Sequence, residues 1–194
     1  MKIFMSGGCK NGKSHYAQYL AQAQQAALNA SPGKASLYYI ATMKPADSED
    51  DERIQRHRND REGWGFTTVE QPVDIEKILT KCNPNHSFLL DSLTALLANE
   101  MFLPDGSVNR NAASKISSGL QQITDNIGNL VIVSDYIYND AFLYDPLTEE
   151  YRKSLAEIDR TAARNCDIVL EIAYTNVLVH KGREMFGGLY EKIP

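Results

Sequence analysis

The segment GGCKNGKS, residues 7–14, constrains the possible folds of this chain more than any other segment. It matches the phosphate-loop pattern G-x-x-x-x-G-K-[ST], and it lies between a short apolar run and an Ala- and Gln-rich stretch that is typical of a helix. In such a loop the glycines let successive backbone N–H groups point at an anion beside the N-terminus of the helix. Lys13 then reaches the β- and γ-phosphates, and the Ser14 hydroxyl can bind Mg²⁺. The motif predicts these nucleotide-binding residues: Gly7, Gly8, Cys9, Lys10, Asn11, Gly12, Lys13 and Ser14.

Short apolar runs alternate with helix-like segments along the chain, which predicts an α/β fold with a mostly parallel sheet and helices on both faces. The predicted strands are residues 3–5, 37–41, 66–69, 87–91 and 130–133, followed by a C-terminal hairpin of residues 168–172 and 177–179. The predicted helices are residues 13–28, 47–61, 93–102, 111–127 and 148–165, with a further helix through Ile75, Ile78 and Leu79. Thr148 and Glu150 are candidate capping residues. Because no linker or repeat interrupts the pattern, we predict one nucleotide-binding domain, residues 1–194.

The composition excludes several classes of function. With 20 Lys and Arg against 25 Asp and Glu, the net charge of -5 argues against a broad surface for nucleic acid or anionic membrane. No apolar run reaches the roughly 18 residues that a membrane span needs. The cysteines lie far apart, at positions 9, 82 and 166, which argues against a disulfide framework or a zinc site and favours a reducing cytoplasm. We expect the last dozen residues to form a loosely attached tail.

Asp91 ends the apolar run Phe88-Leu89-Leu90. An acid in this position is typical of the Walker-B strand, which presents a carboxylate beside the metal at the carboxyl edge of the sheet. Asp91 could instead begin the turn into the following helix as a capping residue, and the run alone does not separate the two interpretations.

Four arginines and a histidine occur within nine residues, 53–61. On a helix, Arg53, His57 and Arg61 would share one face, where arginines could bind phosphate oxygens and a neutral imidazole could attack phosphorus. Alternatively, these residues complement the helix macrodipole, since five acids precede them in residues 47–52. Trp64, which follows, could stack on a base or anchor the turn.

Four stretches together resemble the bifunctional adenosylcobinamide kinase / adenosylcobinamide-phosphate guanylyltransferase family of cobalamin biosynthesis: GGCKNGKS, LYYIAT, ERIQRHRNDREGWGFTTVEQP and LLDSLTALLAN. The most specific part is R-I-x-x-H-R-x-x-R, residues 53–61, followed by Trp64 and by Thr68, Glu70 and Pro72 as T-x-E-x-P. The resemblance extends over almost the whole chain.

The resemblance implies phosphorylation of a cobinamide hydroxyl by ATP or GTP, followed by transfer of GMP through a guanylylated histidine. His57 stands at the position of that histidine, and Lys13 would be the other catalytic residue. Residues implied to line the nucleotide site or contact the metal are Ala41, Thr42, Met43, Arg58, Asn59, Asp60, Arg61, Glu70 and Asp91, with Ser14 and Asp91 as the Mg²⁺ ligands. The resemblance also implies a RecA-like sheet and a homotrimer.

One region departs from the family pattern. Where the family has N-E-V-G-x-G-I-V-P, residues 135–143 read DYIYNDAFL, so that Tyr138 and Asp140 replace glycines. Farther on, Ala156, Asp159 and Arg160 stand where the family favours Gly, Asn and Gln. A backbone without these glycines cannot keep the same path close to a ligand. Two alternatives therefore remain: a kinase whose acceptor is set by the aromatic loop 136–144, or a nucleotide-binding protein that has lost turnover.

Overall fold

A computed structural model describes residues 1–29, 35–44, 55, 62–138, 140–174 and 176–190. In this part of the chain seven strands form one sheet. They are β1 (Lys2–Gly7), β2 (Leu37–Ala41), β3 (Phe66–Glu70), β4 (Ser87–Asp91), β5 (Asn129–Asp135), β6 (Ile168–Ala173) and β7 (Asn176–Lys181). All seven predicted strands are therefore present, with ends that differ from the predicted ones by no more than two residues.

The strand order is β3-β2-β4-β5-β1-β6-β7, and every pair is parallel except the antiparallel pair β6 and β7. This arrangement confirms the predicted parallel sheet and C-terminal hairpin. β5 lies between β1 and β4, so it separates the strand before the phosphate loop from the strand that ends at Asp91. Because β1 to β6 run in the same direction, their carboxyl ends share one edge, where ligands bind in open α/β sheets.

The helices that the structure describes are α1 (Lys13–Asn29), α2 (Ile78–Lys81), α3 (Leu93–Met101), α4 (Ala112–Asn126), α5 (Pro146–Asn165) and α6 (Arg183–Tyr190), with a 3-10 turn at Ile75–Lys77 before α2. Helices α3, α4 and α5 cover one face of the sheet, and α1 and α6 cover the other. The central strands bury both faces: Phe4 of β1 packs against the first group of helices, whereas Ile3 and Met5 pack against the second. Such double burial explains why these strands read as continuous apolar runs.

One predicted helix start and the predicted C-terminal tail were wrong. Helix α5 begins at Pro146, not at Thr148, because Asp145 is the N-cap and accepts hydrogen bonds from the backbone N–H groups of Leu147 (3.0 Å) and Thr148 (3.1 Å). The preset φ of proline suits the first helical position. Residues 183–190 of the expected tail form helix α6, which buries Phe186 against the sheet, and the last four residues lie outside the described ones. The predicted helix 47–61 lies outside the described residues except for Gln55, which is helical.

The C-terminal hairpin also holds helix α5. Lys181, the last residue of β7, donates hydrogen bonds from Nζ to the backbone carbonyls of Cys166 (2.6 Å), Arg164 (3.2 Å) and Ala163 (3.3 Å). These carbonyls belong to the C-terminal end of the helix and its cap, where a cation is favoured. All three cysteines are free thiols. Among the described helices, none is both long enough and apolar enough to cross a membrane.

Candidate functional site

The phosphate loop joins β1 to α1 at the carboxyl edge of the sheet. Lys10 has φ 55° and Gly12 has φ 88°, so the chain turns through the left-handed region twice before α1 begins. Gly7 is required by contact, because a Cβ atom there would overlap with the carbonyl oxygen of Ile172 and lie 2.6 Å from Nδ2 of Asn11. The Asn11 amide itself donates to that Ile172 carbonyl, which fastens the loop to β6. The strand, loop and helix thus have the order that the motif requires.

Lys13 is buried at the base of the loop. Its Nζ donates to the Gly8 carbonyl at 2.7 Å and to Oδ1 of Asp135 at 2.8 Å. Asp135 is the last residue of β5, and it pairs with Gly7 across the sheet. The backbone N–H of Asp135 donates to Oγ1 of Thr94 on α3 at 2.9 Å. The lysine therefore points into the loop with its charge already paired to a carboxylate of the neighbouring strand.

Asp91 lies at the same edge, at the end of β4, as a Walker-B acid would. The buried Tyr39 of β2 donates its hydroxyl to Oδ2 of Asp91 at 2.8 Å, which fixes the orientation of the carboxylate. The N-cap of the following helix is Ser92, whose Oγ accepts from the Ala95 N–H at 3.4 Å. The alternative role for Asp91, as the helix cap, is thereby taken by its neighbour.

Thr42 directly follows β2 and is fully buried. Its hydroxyl donates to the Ser92 carbonyl and accepts from the Ser92 N–H, both at 2.8 Å. The side-chain amide of Asn99 donates to the Thr42 carbonyl at 2.7 Å and to the Pro72 carbonyl at 3.1 Å. Thr42 and Asn99 therefore hold together the chain segments that follow β2, β3 and β4. The hydroxyl of Thr42 is engaged by the backbone of Ser92, the residue after Asp91, and does not face the open edge.

The remaining predicted nucleotide-site residues divide into two groups. Ala41 pairs with Asp91 on one side and with Glu70 on the other, which places all three at the same edge of the sheet, with Met43 two residues beyond Ala41. His57, Arg58, Asn59, Asp60 and Arg61 lie outside the described residues.

Residues are described again from Glu62 onward, and Trp64 lies against the start of the helix that follows the phosphate loop. The Trp64 ring packs edge-on against His15 (centroids 5.4 Å apart) and Tyr19 (4.8 Å), both on the first two turns of α1. The Trp64 carbonyl accepts from Nε2 of Gln22 at 3.0 Å. Of the two roles considered for Trp64, these contacts support an anchor, and they attach the chain just after residue 61 to the helix that begins at Lys13.

The segment that departs from the family pattern is fastened to α5. Tyr138 donates its hydroxyl to Oδ2 of Asp159 at 2.9 Å, so that two of the altered positions contact each other. Arg152 is buried and donates to the Ile137 carbonyl at 3.1 Å and to the carboxylates of Glu149 at 2.6 Å and Asp140 at 3.1 Å. Burial raises the pKa of Asp159 to about 7, and the charge of Asp135 raises this pKa as well.

This loop presents apolar side chains to solvent. Phe142 is 73% exposed and Leu143 is 96% exposed. Tyr144, in the same loop, donates its hydroxyl to Asp140 at 3.0 Å and lies under the Arg152 guanidinium, 4.7 Å from the ring centroid. The backbone next to the phosphate site is thus fixed by polar contacts, whereas the tip of the loop offers an apolar surface.

Sequence reasoning missed Asp135 and Tyr39. Asp135 follows the apolar run 130–133 at a distance of two residues, so a search for an acid shortly after each predicted strand would have found it. Tyr39 lies inside a strand whose neighbours are apolar, and nothing in the sequence distinguishes it from an ordinary core residue.

The family described as cobinamide kinase / cobinamide phosphate guanyltransferase matches residues 3–178. A curated relative, the bifunctional adenosylcobalamin biosynthesis protein CobU of Escherichia coli (strain K12), is 33% identical over 104 residues. The match covers 53% of this chain and 51% of that protein, so it spans about half the length of the curated relative.

Among solved structures, a KaiC-like protein from Pyrococcus horikoshii OT3 is similar over 94% of this chain and 79% of its own, with a TM-score of 0.52 and 15% identity. This likeness concerns the fold alone. With the sheet order and the phosphate loop, it confirms the predicted RecA-like P-loop fold.

Proposed function

Because the chain belongs to the cobinamide kinase / cobinamide phosphate guanyltransferase family, we propose that it phosphorylates the aminopropanol hydroxyl of adenosylcobinamide and then transfers GMP to the new phosphate. The observation that carries the proposal is the phosphate loop itself. Its lysine, Lys13, is 5% exposed and lies at the same sheet edge as Asp91. A strand, a glycine loop and a helix in this order, with an acid on a nearby strand end, support binding of a nucleoside triphosphate.

In the kinase step the acceptor hydroxyl attacks the γ-phosphorus of ATP or GTP and the nucleoside diphosphate leaves. The backbone N–H groups of residues 8–14 and the ammonium of Lys13 would bind the phosphate oxygens and stabilise charge as it develops. The contacts of Asn11 and Gly7 with Ile172 support this role, since they hold the loop in one shape before the nucleotide binds.

In the second step an imidazole nitrogen of His57 attacks the α-phosphorus of GTP. A P–N bond forms, the bond from the α-phosphorus to the bridging oxygen breaks, and pyrophosphate leaves. An oxygen of the cobinamide phosphate then displaces the histidine and takes the GMP. The packing of Trp64 on α1 supports this step indirectly, because it attaches the chain seven residues after His57 beside the phosphate loop.

The donor set at the edge suits Mg²⁺, which prefers oxygen ligands and commonly takes one or two from the protein while keeping waters and phosphate oxygens. The hydroxyl of Ser14 and the carboxylate of Asp91 are donors of this kind, and the hydrogen bond from Tyr39 holds the carboxylate in one orientation. When bound, Mg²⁺ would neutralise charge on the phosphate oxygens.

A labelling experiment tests the covalent step. The protein is incubated with α-labelled GTP, quenched in acid or in base, and counted after precipitation. A phosphoramidate to His57 predicts label that survives base and is lost in acid, and the His57→Ala variant should take up none. His180→Ala is the matched control, because His180 lies on β7 and pairs with Glu171 at 2.8 Å. An unlabelled wild-type protein, or equal labelling of the His57 variant, would refute the guanylylated histidine.

The loop 136–144 favours a second candidate, a kinase of the same fold with a different acceptor. The Tyr138–Asp159 hydrogen bond and the Arg152 contacts hold the backbone of this segment in place, although the glycines of the family pattern are absent from it. Thermal shift with adenosylcobinamide separates the two candidates, since a specific ligand raises the melting temperature by mass action. A shift with ATP or GTP but none with adenosylcobinamide would favour the second candidate.

We include a homotrimer in the proposal. The exposed apolar side chains at the loop tip, just after α3 and at the start of α5 support a contact surface between copies of the chain. These side chains are Phe102, Leu103, Phe142, Leu143 and Leu147. Native mass spectrometry gives the number of copies directly, and a monomer at assay concentration would contradict the trimer.

A further inference from the structure

Lys13 is already paired with groups of the protein before a nucleotide binds. An ammonium group has three N–H donors, and two of those on Lys13 are already used, one by the Gly8 carbonyl and one by Asp135. The side chain of Lys13 is 6% exposed, so the ion pair lies at the base of the loop rather than on the surface. Phosphate oxygens must therefore share this lysine with a carboxylate.

Asp135 is held in this position from two sides. Its backbone pairs with Gly7 of β1, and its N–H donates to Thr94 of α3. Its side chain is 28% exposed, and it lies at the end of β5, on the carboxyl edge of the sheet. An incoming triphosphate would therefore meet a fixed negative charge at the base of its site.

The charges of the loop and of the ends of β4 and β5 cancel. Lys10 and Lys13 contribute two positive charges, and Asp91 and Asp135 contribute two negative charges. A phosphate loop without Asp135 would have a net positive charge over the same set of residues. Repulsion from the carboxylate grows with the negative charge of the ligand, and a bound Mg²⁺ cancels two negative charges of a triphosphate.

We propose that Asp135 is a specificity-determining residue that makes the site select the Mg²⁺ complex of a nucleoside triphosphate over the metal-free anion. The inference rests on the proposed nucleotide binding and goes beyond it, because it assigns the selection to one residue. The mechanism has two parts: Asp135 competes with phosphate oxygens for Lys13, and it repels the more highly charged ligand more strongly.

The test compares affinities with and without the metal. Isothermal titration calorimetry with ATP and with GTP, in Mg²⁺ and in EDTA, gives two Kd values for each nucleotide and protein. The quantity compared is the ratio of the Kd in EDTA to the Kd in Mg²⁺. Asp135→Asn keeps the shape of the side chain and removes its charge, so we expect this ratio to fall about tenfold, mainly through tighter binding of the metal-free nucleotide. Asp135→Glu keeps the charge and should retain most of the wild-type ratio.

Asp125→Asn is the matched control, because Asp125 is an exposed acid near the end of α4, before β5 begins at the opposite edge of the sheet. An unchanged ratio in Asp135→Asn would overturn the inference. So would weaker binding of the Mg²⁺ complex by that variant, since this result would make Asp135 a metal ligand. A failure of the proposed function would have a different result, because the wild-type protein itself would then bind neither ATP nor GTP in Mg²⁺.

Discussion

Replacing Asp159 with asparagine should stabilise the protein at neutral and alkaline pH and have little effect in mild acid. Asp159 is 3% exposed and accepts a hydrogen bond from the Tyr138 hydroxyl. Burial and the charge of Asp135 on β5 raise its pKa, whereas hydrogen bonds from Ser134 and Tyr138 lower it. Asparagine has nearly the same shape, keeps an oxygen that can accept from Tyr138, and carries no charge at any pH in this range.

The magnitude follows from the shifted pKa. Burial raises the pKa of Asp159 from 3.8 to about 7, so the folded protein retains a proton that the unfolded chain loses above pH 3.8. The folded state binds more protons across this window, so stability falls as pH rises through it, by about 1.4 kcal/mol per pH unit. Over the whole window the wild-type protein loses up to about 4 kcal/mol, which the asparagine variant does not lose.

Urea denaturation followed by circular dichroism, at pH values between about 4.5 and 8, measures the effect as the difference between the variant and the wild-type protein. This difference cancels the contributions of histidines and of other carboxylates. Glu157→Gln is the control, because Glu157 is an exposed acid on the same helix. A difference between Asp159→Asn and wild type that stays constant across the pH range would refute the reasoning.

Two further predictions concern contacts described above. Gly7→Ala should lower the free energy of unfolding by about 2 kcal/mol or more, because the methyl group overlaps with the Ile172 carbonyl. Gly8→Ala is its control in urea denaturation and should lower the free energy of unfolding far less, because a Cβ atom there has no neighbour within 4 Å. Lys181→Met should lower the free energy of unfolding by about 1 kcal/mol, because the carbonyls at the end of α5 lose a charged donor. Urea denaturation checks this second prediction against Lys153→Met, an exposed lysine of the same helix, and equal stability of the two variants would contradict it.

The sequence was sufficient to predict the strands and the phosphate loop because both depend on local signals. Ile3, Phe4 and Met5 are buried on both faces, which gives a continuous apolar run, and the loop needs its glycines and Lys13 at fixed spacing. The position of Asp91 at the end of β4 follows from the same local signal, since this acid directly ends such a run.

The ion pair between Lys13 and Asp135 could not be predicted in the same way. The two residues are 122 positions apart, and they meet only because β5 lies next to β1 in the sheet. Strand order is a property of the whole topology, and the sequence pattern of a parallel sheet is compatible with several orders. The contact of Tyr138 with Asp159 has the same origin, since it depends on how α5 packs against the segment after β5.

The contacts of Arg152 have a consequence for the thermodynamics of ligand binding. One guanidinium joins Ile137, Glu149 and Asp140, and Tyr144 lies beneath it, so the described part of the loop 136–144 is ordered when the chain folds. Its conformational entropy is lost at that stage and not when an acceptor arrives. An acceptor at this loop would thus meet a preorganised wall, and discrimination between acceptors would depend on their fit to a fixed shape rather than on the free energy of closing a lid.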